Sequence, residues 1–358
     1  MIRDMSSDAS GGRSGLPRNG GAAAVPRTHA AVLRGLPDVL ARFGIPWEPV
    51  LQAEGMTRAD IDDPERSVPF AAMDRISGEC ARLTRCPHVG LLLADHVNLQ
   101  CFGIAGRLAL NAPTVGSAIQ ELAAHFALHD SGGLISADLH DGTVTVSYGL
   151  YMPGLRNLDQ IYDFCVLAMR NVLRQLCGPD WKPDAVLLPR RRPADVRPYR
   201  EFFAAPLRFD SVQAGMRLQQ AWFQHPIAGA DPFLHGLLAE RATAALKVQD
   251  PLLCDDVRRT IRLLLISNQC SREAVAQRLG MHPRTLGRRL QECGATFQQL
   301  LDQTRLEIAR QLLRGTRSSV ARISTTLGYH DPTVFTRAFR RWTGTTPRAY
   351  RALDAGAK

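Results

Sequence analysis

Near the carboxyl end of the chain, two sets of side chains recur with the same spacing. Thr333, Thr336, Arg337 and Arg340 stand at i, i+3, i+4 and i+7, so on a helix they form one polar stripe. Arg284, Gly287, Arg288 and Gln291 repeat that spacing upstream, with Thr285 beside Arg284. Arginine donates bidentately to guanine or pairs with phosphate, and threonine and glutamine reach other base edges. The chemistry such stripes suit is contact with the major groove of a duplex. A solvated helix face is the better explanation of one stripe alone; two matching stripes favour DNA.

The elements that must carry these side chains are legible as an internal repeat. Val275 and Leu279-Gly280 recur as Ile323 and Leu327-Gly328, and Pro283, Leu286, Arg288 and Leu290 recur as Pro332, Phe335, Arg337 and Phe339. Each copy reads as a helix-turn-helix. A short amphipathic helix stops at Leu-Gly, where glycine can take the left-handed conformation. A proline then opens a second helix at a position with no use for an N–H. Asp331 is a good N-cap for the second recognition helix and His282 a poor one for the first, so the first motif is expected to be held less firmly. Periodicity turns Val334, Phe335, Ala338, Phe339 and Trp342 inward in one copy, and Leu286, Leu290 and Cys293 in the other. Between the copies, Thr296 to Leu313 has an apolar face at helical spacing. At ~1.5 Å per residue it forms a rod of roughly 27 Å. With the width of the motifs added, the rod could set two recognition helices about one DNA turn, ~34 Å, apart.

Charge supports this placement. The chain carries 44 Lys+Arg against 34 Asp+Glu. From Pro251 onward there are 19 basic and 8 acidic residues, a net +11, so everything before it sums to −1. The positive excess is confined to the repeat-bearing segment, the electrostatic footprint expected of a DNA-binding module.

This segment resembles the DNA-binding domain of the AraC/XylS family of bacterial transcription regulators. The resemblance rests on Leu327-Gly328-Tyr329, Asp331-Pro332, Phe335, Arg337-Ala338-Phe339, Arg341-Trp342, Gly344, Thr346-Pro347 and Tyr350-Arg351. Arg305, Ala309 and Leu312-Leu313 match the linker helix. It implies base or phosphate contact by Arg284, Arg288, Thr333, Thr336 and Arg337 in successive major grooves, with RNA polymerase as a further partner. It also implies that Arg305 is an ion-paired structural residue. His282 departs from the family's serine, Gly287 from a longer polar residue and Ser324 from alanine. Gly287 cannot read a base, which leaves first-motif specificity to Arg284 and Arg288.

The rest of the chain divides into a Gly/Ser/Ala/Arg-rich tail, 1–27, expected to be disordered, and an α+β regulatory domain, 28–250. The all-α DNA-binding domain spans 251–354. Helices are expected over Val32–Phe43, Pro69–Leu83, Thr114–His129, Leu158–Leu176, Ala194–Phe203 and Pro232–Val248. Strands are expected over Leu134–Leu139, Thr143–Tyr151, Ala185–Leu188 and Val212–Leu218, the first two closed by the hairpin turn Asp141-Gly142. Phe102-Gly103-Ile104-Ala105-Gly106, Pro113-Thr114, that hairpin, Pro206-Leu207 with Phe209, Pro226-Ile227 and Ala230-Asp231-Pro232 resemble the regulatory domain of ornithine-utilisation-type members of the family. This implies sensing of an unidentified small molecule, or self-association as a homodimer.

Enzyme chemistry finds little support. No GxSxG, phosphate loop or dinucleotide fingerprint occurs. His125 and His129 stand at i and i+4 and could share a metal, but helix-surface histidines are commoner, so neither metal nor cofactor is expected. Arg190-Arg191-Arg192 could meet an acidic effector, although a short charge run is more often a solvated loop. The eight cysteines have no CxxC spacing and read as buried hydrophobes in a reducing cytoplasm. No secretory leader or membrane span is evident. Two rival readings stand beside a sequence-specific regulator: a non-specific architectural DNA binder, and a DNA-targeted enzyme. The second would use Cys86 as a reactive acceptor, as some proteins with this DNA-binding module do, although Pro87 follows rather than precedes it.

Overall fold

The computed structural model describes residues 25–150, 152, 154–248, 253–266 and 269–355. The amino-terminal part runs β1 (Arg27–His29), α1 (Leu36–Ala41), α2 (Glu48–Gln52), α3 (Arg58–Asp62), β2 (Ser67–Pro69), α4 (Phe70–Thr84), α5 (Val89–Ala94), α6 (Gly103–Leu110) and α7 (Val115–His125). It continues through β3 (Gly133–His140), β4 (Thr143–Leu150), α8 (Leu158–Cys177), β5 (Ala185–Leu187), α9 (Arg197–Phe203), β6 (Leu207–Arg208), β7 (Ala214–Gln219) and α10 (Pro232–Val248). Five strands form one sheet in the order β3-β4-β7-β5-β6, antiparallel except for β5–β6. The β3–β4 hairpin turns at Asp141 and Gly142, both at positive φ, as the Asp-Gly pair predicts. Helix α8 crosses this sheet, burying Ile161, Phe164, Val166, Leu167, Val172 and Leu173 in the larger of two cores.

Three expectations need correction here. Residues 1–24 of the expected tail lie outside the described residues. Its end, however, is ordered by pairing: β1 pairs with β2 from Arg27, and the Phe70 N–H donates to the Pro26 carbonyl at 2.8 Å. The expected helix Val32–Phe43 is a 3-10 turn, Ala30–Leu33, followed by α1; a Cβ on the intervening Gly35 would lie 2.3 Å from the His96 ring. The helix expected to reach His129 ends at His125 and continues as a 3-10 turn, Phe126–Leu128, so His125 and His129 do not share a helical face.

The carboxyl-terminal part is helical: α11 (Leu253–Ile266), α12 (Arg272–Arg278), α13 (Pro283–Glu292), α14 (Phe297–Gly315), α15 (Val320–Thr326), α16 (Pro332–Thr343) and α17 (Pro347–Ala355). Its own core gathers Val257, Ile261, Val275, Leu286, Leu290, Leu300, Ile308, Leu312, Ile323, Phe335 and Phe339. Two cores, one beneath a mixed sheet and one among helices, give the α+β plus all-α architecture; the expected boundary near 250 falls on residues outside those described. Several polar contacts join the parts. Arg259 Nη2 on α11 donates to the Ser131 carbonyl at 3.0 Å, Gln311 Nε2 on α14 donates to the Leu150 carbonyl at 2.7 Å, and Ser318 Oγ donates to the Asp210 carbonyl at 2.6 Å.

Candidate nucleic-acid interface

The two recognition helices, α13 and α16, follow from local chemistry. Gly280 and Gly328, at φ +63° and +73°, end the preceding helices in the left-handed conformation. Pro283 and Pro332 then occupy the first helical positions. Asp331 accepts from the Thr333 N–H at 2.7 Å, and this bond holds its carboxyl below the usual carboxylate range. His282, expected to cap poorly, also caps: its Nδ1 accepts from the Arg284 N–H at 3.2 Å.

The linker α14 is fixed at both ends. Thr296 and Gln299 form a reciprocal capping box at its start. Arg351 of α17 donates to the Leu313 and Ser318 carbonyls near its end. Arg305 is structural, as expected, but not as an ion pair. Its Nε donates to the Leu327 carbonyl at 2.8 Å and its guanidinium lies 4.4 Å from the Tyr329 ring centroid. It thus closes the turn of the second motif onto the linker.

The outward stripe of α16 is solvent-facing at Thr333, Arg337 and Arg340, with Thr336 half-buried. Thr336 Oγ1 donates to the Pro332 carbonyl at 2.9 Å, leaving its lone pairs as acceptors. Val334, expected to face inward, is 51 % exposed and stands beside Thr333 on this face. Phe335, Ala338 and Phe339 fill the buried arc instead, braced by Tyr329 and Tyr350 rings 5.7 and 5.4 Å from Phe335 and Phe339.

On α13, Arg284, Arg288 and Gln291 are exposed and Thr285 is half-buried, while Leu286 and Leu290 are buried. Cys293, expected to face inward, is exposed. Arg288 is engaged by Glu292 one turn later at 2.9 Å, an exposed pair that contributes little to stability and puts a carboxylate on the stripe. Arg284, Arg337 and Arg340 have no carboxylate within ion-pair distance among the described residues. The periodicity also missed Arg272. It hydrogen-bonds the Pro283 carbonyl at 2.8 Å, and its Nη2 would lie 2.3 Å from a Cβ on Gly287. The glycine that cannot read a base is therefore covered by a guanidinium from the helix before. Only the packing of α12 against α13 reveals this.

The rival chemistries fare differently. Cys86 is 7 % exposed and burial pushes its thiol up, which disfavours the thiolate an acceptor needs. His125 Nδ1 lies 3.2 Å from Glu121 Oε2, whereas His129 stacks 4.3 Å from Phe102. Among the described residues, no group of three or more His, Cys, Asp or Glu is placed to hold a metal ion. Arg190 belongs to neither an effector site nor a solvated loop. It is buried and paired with Asp163, whose carboxyl burial raises and which also accepts from the Tyr199 hydroxyl at 2.6 Å.

Comparison with known proteins agrees with this geometry. Residues 44–227 match the family model for the amino-terminal, arabinose-binding domain of AraC transcription regulators, and residues 275–353 match a helix-turn-helix domain. The HTH-type transcriptional regulator VirS of Mycobacterium tuberculosis is 27% identical over 325 residues, covering 90% of this chain and 96% of the relative. The ornithine utilization regulator of Pseudomonas aeruginosa is 27% identical over 340 residues, covering 94% and 98%. The crystal structure of the regulator CdpR from Pseudomonas aeruginosa aligns with TM-score 0.46 and 26% identity over 89% of this chain and 97% of that one. With a matched regulatory domain, a matched helix-turn-helix and a paired set of recognition helices, the chain belongs to the AraC family of DNA-binding transcription regulators.

Proposed function

We propose that this regulator reads DNA with α13 and α16 in successive major grooves, and that the part before residue 251 senses a small molecule or self-associates to control binding. The observation that carries the reading is the pair of outward basic stripes on helices joined by one capped linker. Arg337 and Arg340, with no carboxylate within ion-pair distance among the described residues, read guanine edges or clamp phosphates; Thr333 and Thr336 contact neighbouring base edges. Val334 supplies an apolar contact to a thymine methyl. On α13, Arg284, Thr285 and Gln291 approach the duplex directly, and Arg288 does so once it leaves Glu292. Arg272 occupies the space over Gly287 and contacts the backbone between the motifs. The protein acts in the cytoplasm, where RNA polymerase is its partner in transcription.

In vitro selection of bound fragments, followed by footprinting with the full chain, tests this. Two protected segments about one helical turn apart on one face are expected. Protection on opposite faces, or no preference over bulk DNA at physiological salt, would leave the architectural reading standing instead.

A further inference from the structure

The amino-terminal part encloses a cavity between β3–β4, α4, α7 and α8, with about 810 Å³ of empty space including its mouth. The space within it open to a water-sized sphere is about 80 Å³, well below a drug-sized site, so only a small, slender molecule is accommodated. Its walls are apolar: Phe70, Met73, Phe102, Ile119, Phe126 and Met169 contribute, and no lysine or arginine lines it. The few polar groups share one corner. Asp130 accepts from the Tyr148 hydroxyl at 2.9 Å and from the Gly132 and Gly133 N–H groups at 2.8 and 2.9 Å, and bridges to Thr28 through the backbone. Beside it stands His129, 5 % exposed, whose Nδ1 has no hydrogen-bond partner. A buried polar atom left unpaired costs free energy unless something fills the role.

We propose that this cavity binds a neutral, largely apolar small molecule carrying one hydrogen-bonding group that meets His129, and that α11 reads its occupancy through the Ser131–Arg259 contact. The proposal rests on the effector-sensing reading above and gives it a ligand class. A pentose does not fit, because each further hydroxyl would be buried against hydrocarbon without a partner. A carboxylate does not fit either, with no cation on the walls and Asp130 adjacent. Burial holds the His129 imidazole well below its usual value, so it offers no countercharge. A hydroxyl suits it, since it can donate or accept to match either tautomer. An ammonium fits poorly as well: burial raises the Asp130 carboxyl to about 6, and its oxygens already accept from the Tyr148 hydroxyl and the Gly132 and Gly133 N–H groups.

The route outward is short. Ser131 follows Asp130 directly, and its carbonyl accepts from Arg259 on the first helix of the DNA-binding part. A ligand that displaces the Asp130 corner shifts the seat of α11.

The test titrates the full chain with 3-phenyl-1-propanol, 3-phenylpropanoate and 3-phenylpropylamine by calorimetry, then measures DNA binding with each. The alcohol should bind one-to-one and at least about tenfold more tightly than either ion. His129→Phe should weaken it about fivefold or more without lowering the melting temperature, because the ring volume stays and the unpaired nitrogen goes. Ala168→Leu, which fills the cavity, should abolish binding in a folded protein. The alcohol should change DNA affinity about fivefold or more, and Arg259→Met should remove that change while keeping alcohol affinity. Equal or tighter binding of an ion, no alcohol binding, or an alcohol effect on DNA that survives Arg259→Met would overturn the proposal. DNA binding without any probe is scored separately; its loss would strike the interface reading and leave the calorimetry standing.

Discussion

The two helix-turn-helix motifs share a sequence grammar but solve the same problem with different parts. In the second, Asp331 caps the recognition helix, the Tyr329 and Tyr350 rings brace Phe335 and Phe339 on its inner face, and Arg305 of the linker closes its turn onto Tyr329. Among the described residues, its stripe cations Arg337 and Arg340 have no carboxylate within ion-pair distance, while the neighbouring Arg341 pairs with Asp302. In the first, a histidine nitrogen supplies the cap, leucines supply the core, and one cation is held by Glu292 while another arrives from α12. On the proposed reading, the second motif presents its cations directly, whereas Arg288 of the first is held by Glu292. A repeat therefore specifies a backbone twice without specifying the same binding surface twice.

The sharpest way to break this comparison is at the turns. Gly328→Val forces a β-branched residue to positive φ within reach of Arg305, so thermal melts should show a loss of about 3 kcal/mol. Gly280→Val, with nothing within 4 Å, should cost less. Equal losses would mean that Arg305 does not brace the second turn. Next comes reading. Arg337→Ala should cost about 2 kcal/mol of binding and relax preference at one base position. Arg288→Ala should weaken binding less and uniformly; selection experiments showing the reverse would exchange the roles of the motifs.

Ser324 makes a third contrast. It is the counterpart of Ala276, fully buried, with an unpartnered hydroxyl. Ser324→Ala should stabilise the protein by about 1 kcal/mol in denaturant titrations, because the penalty of an unpaired buried donor is removed. Unchanged or lower stability would show that the hydroxyl is satisfied. Gly287→Asn should displace the Arg272 guanidinium and reduce DNA affinity about threefold, with a shallower salt dependence by about one phosphate contact. An unchanged salt slope would remove Arg272 from the interface. The smallest effect concerns caps: Asp331→Ala should lower the melting midpoint more than His282→Ala. Because hydrogen bonding depresses the folded-state Asp331 pKa, its contribution is present above the ordinary carboxylate range and lost as pH falls through the folded value. The difference between the two variants should therefore vanish in acid.

Much of the carboxyl-terminal part was readable in the sequence because its determinants are local. Leucine-glycine stops, proline starts and the i, i+3, i+4, i+7 stripe act within one or two turns of helix. They placed Arg284, Arg288, Gln291, Thr333, Arg337 and Arg340 on open faces. Val334 and Cys293 were misassigned because helical periodicity leaves the edge of a face undecided.

By itself, then, the sequence determined the two recognition helices, the rod between them, the Asp-Gly hairpin and the concentration of positive charge at one end. Tertiary structure alone decided that Arg190 is a buried ion pair, that Arg272 covers Gly287, and that His129 stands unpaired in an apolar cavity one residue from Asp130. These facts depend on segments far apart in the chain being brought within a few ångströms. Burial, not local pattern, then sets what each charge or nitrogen can do.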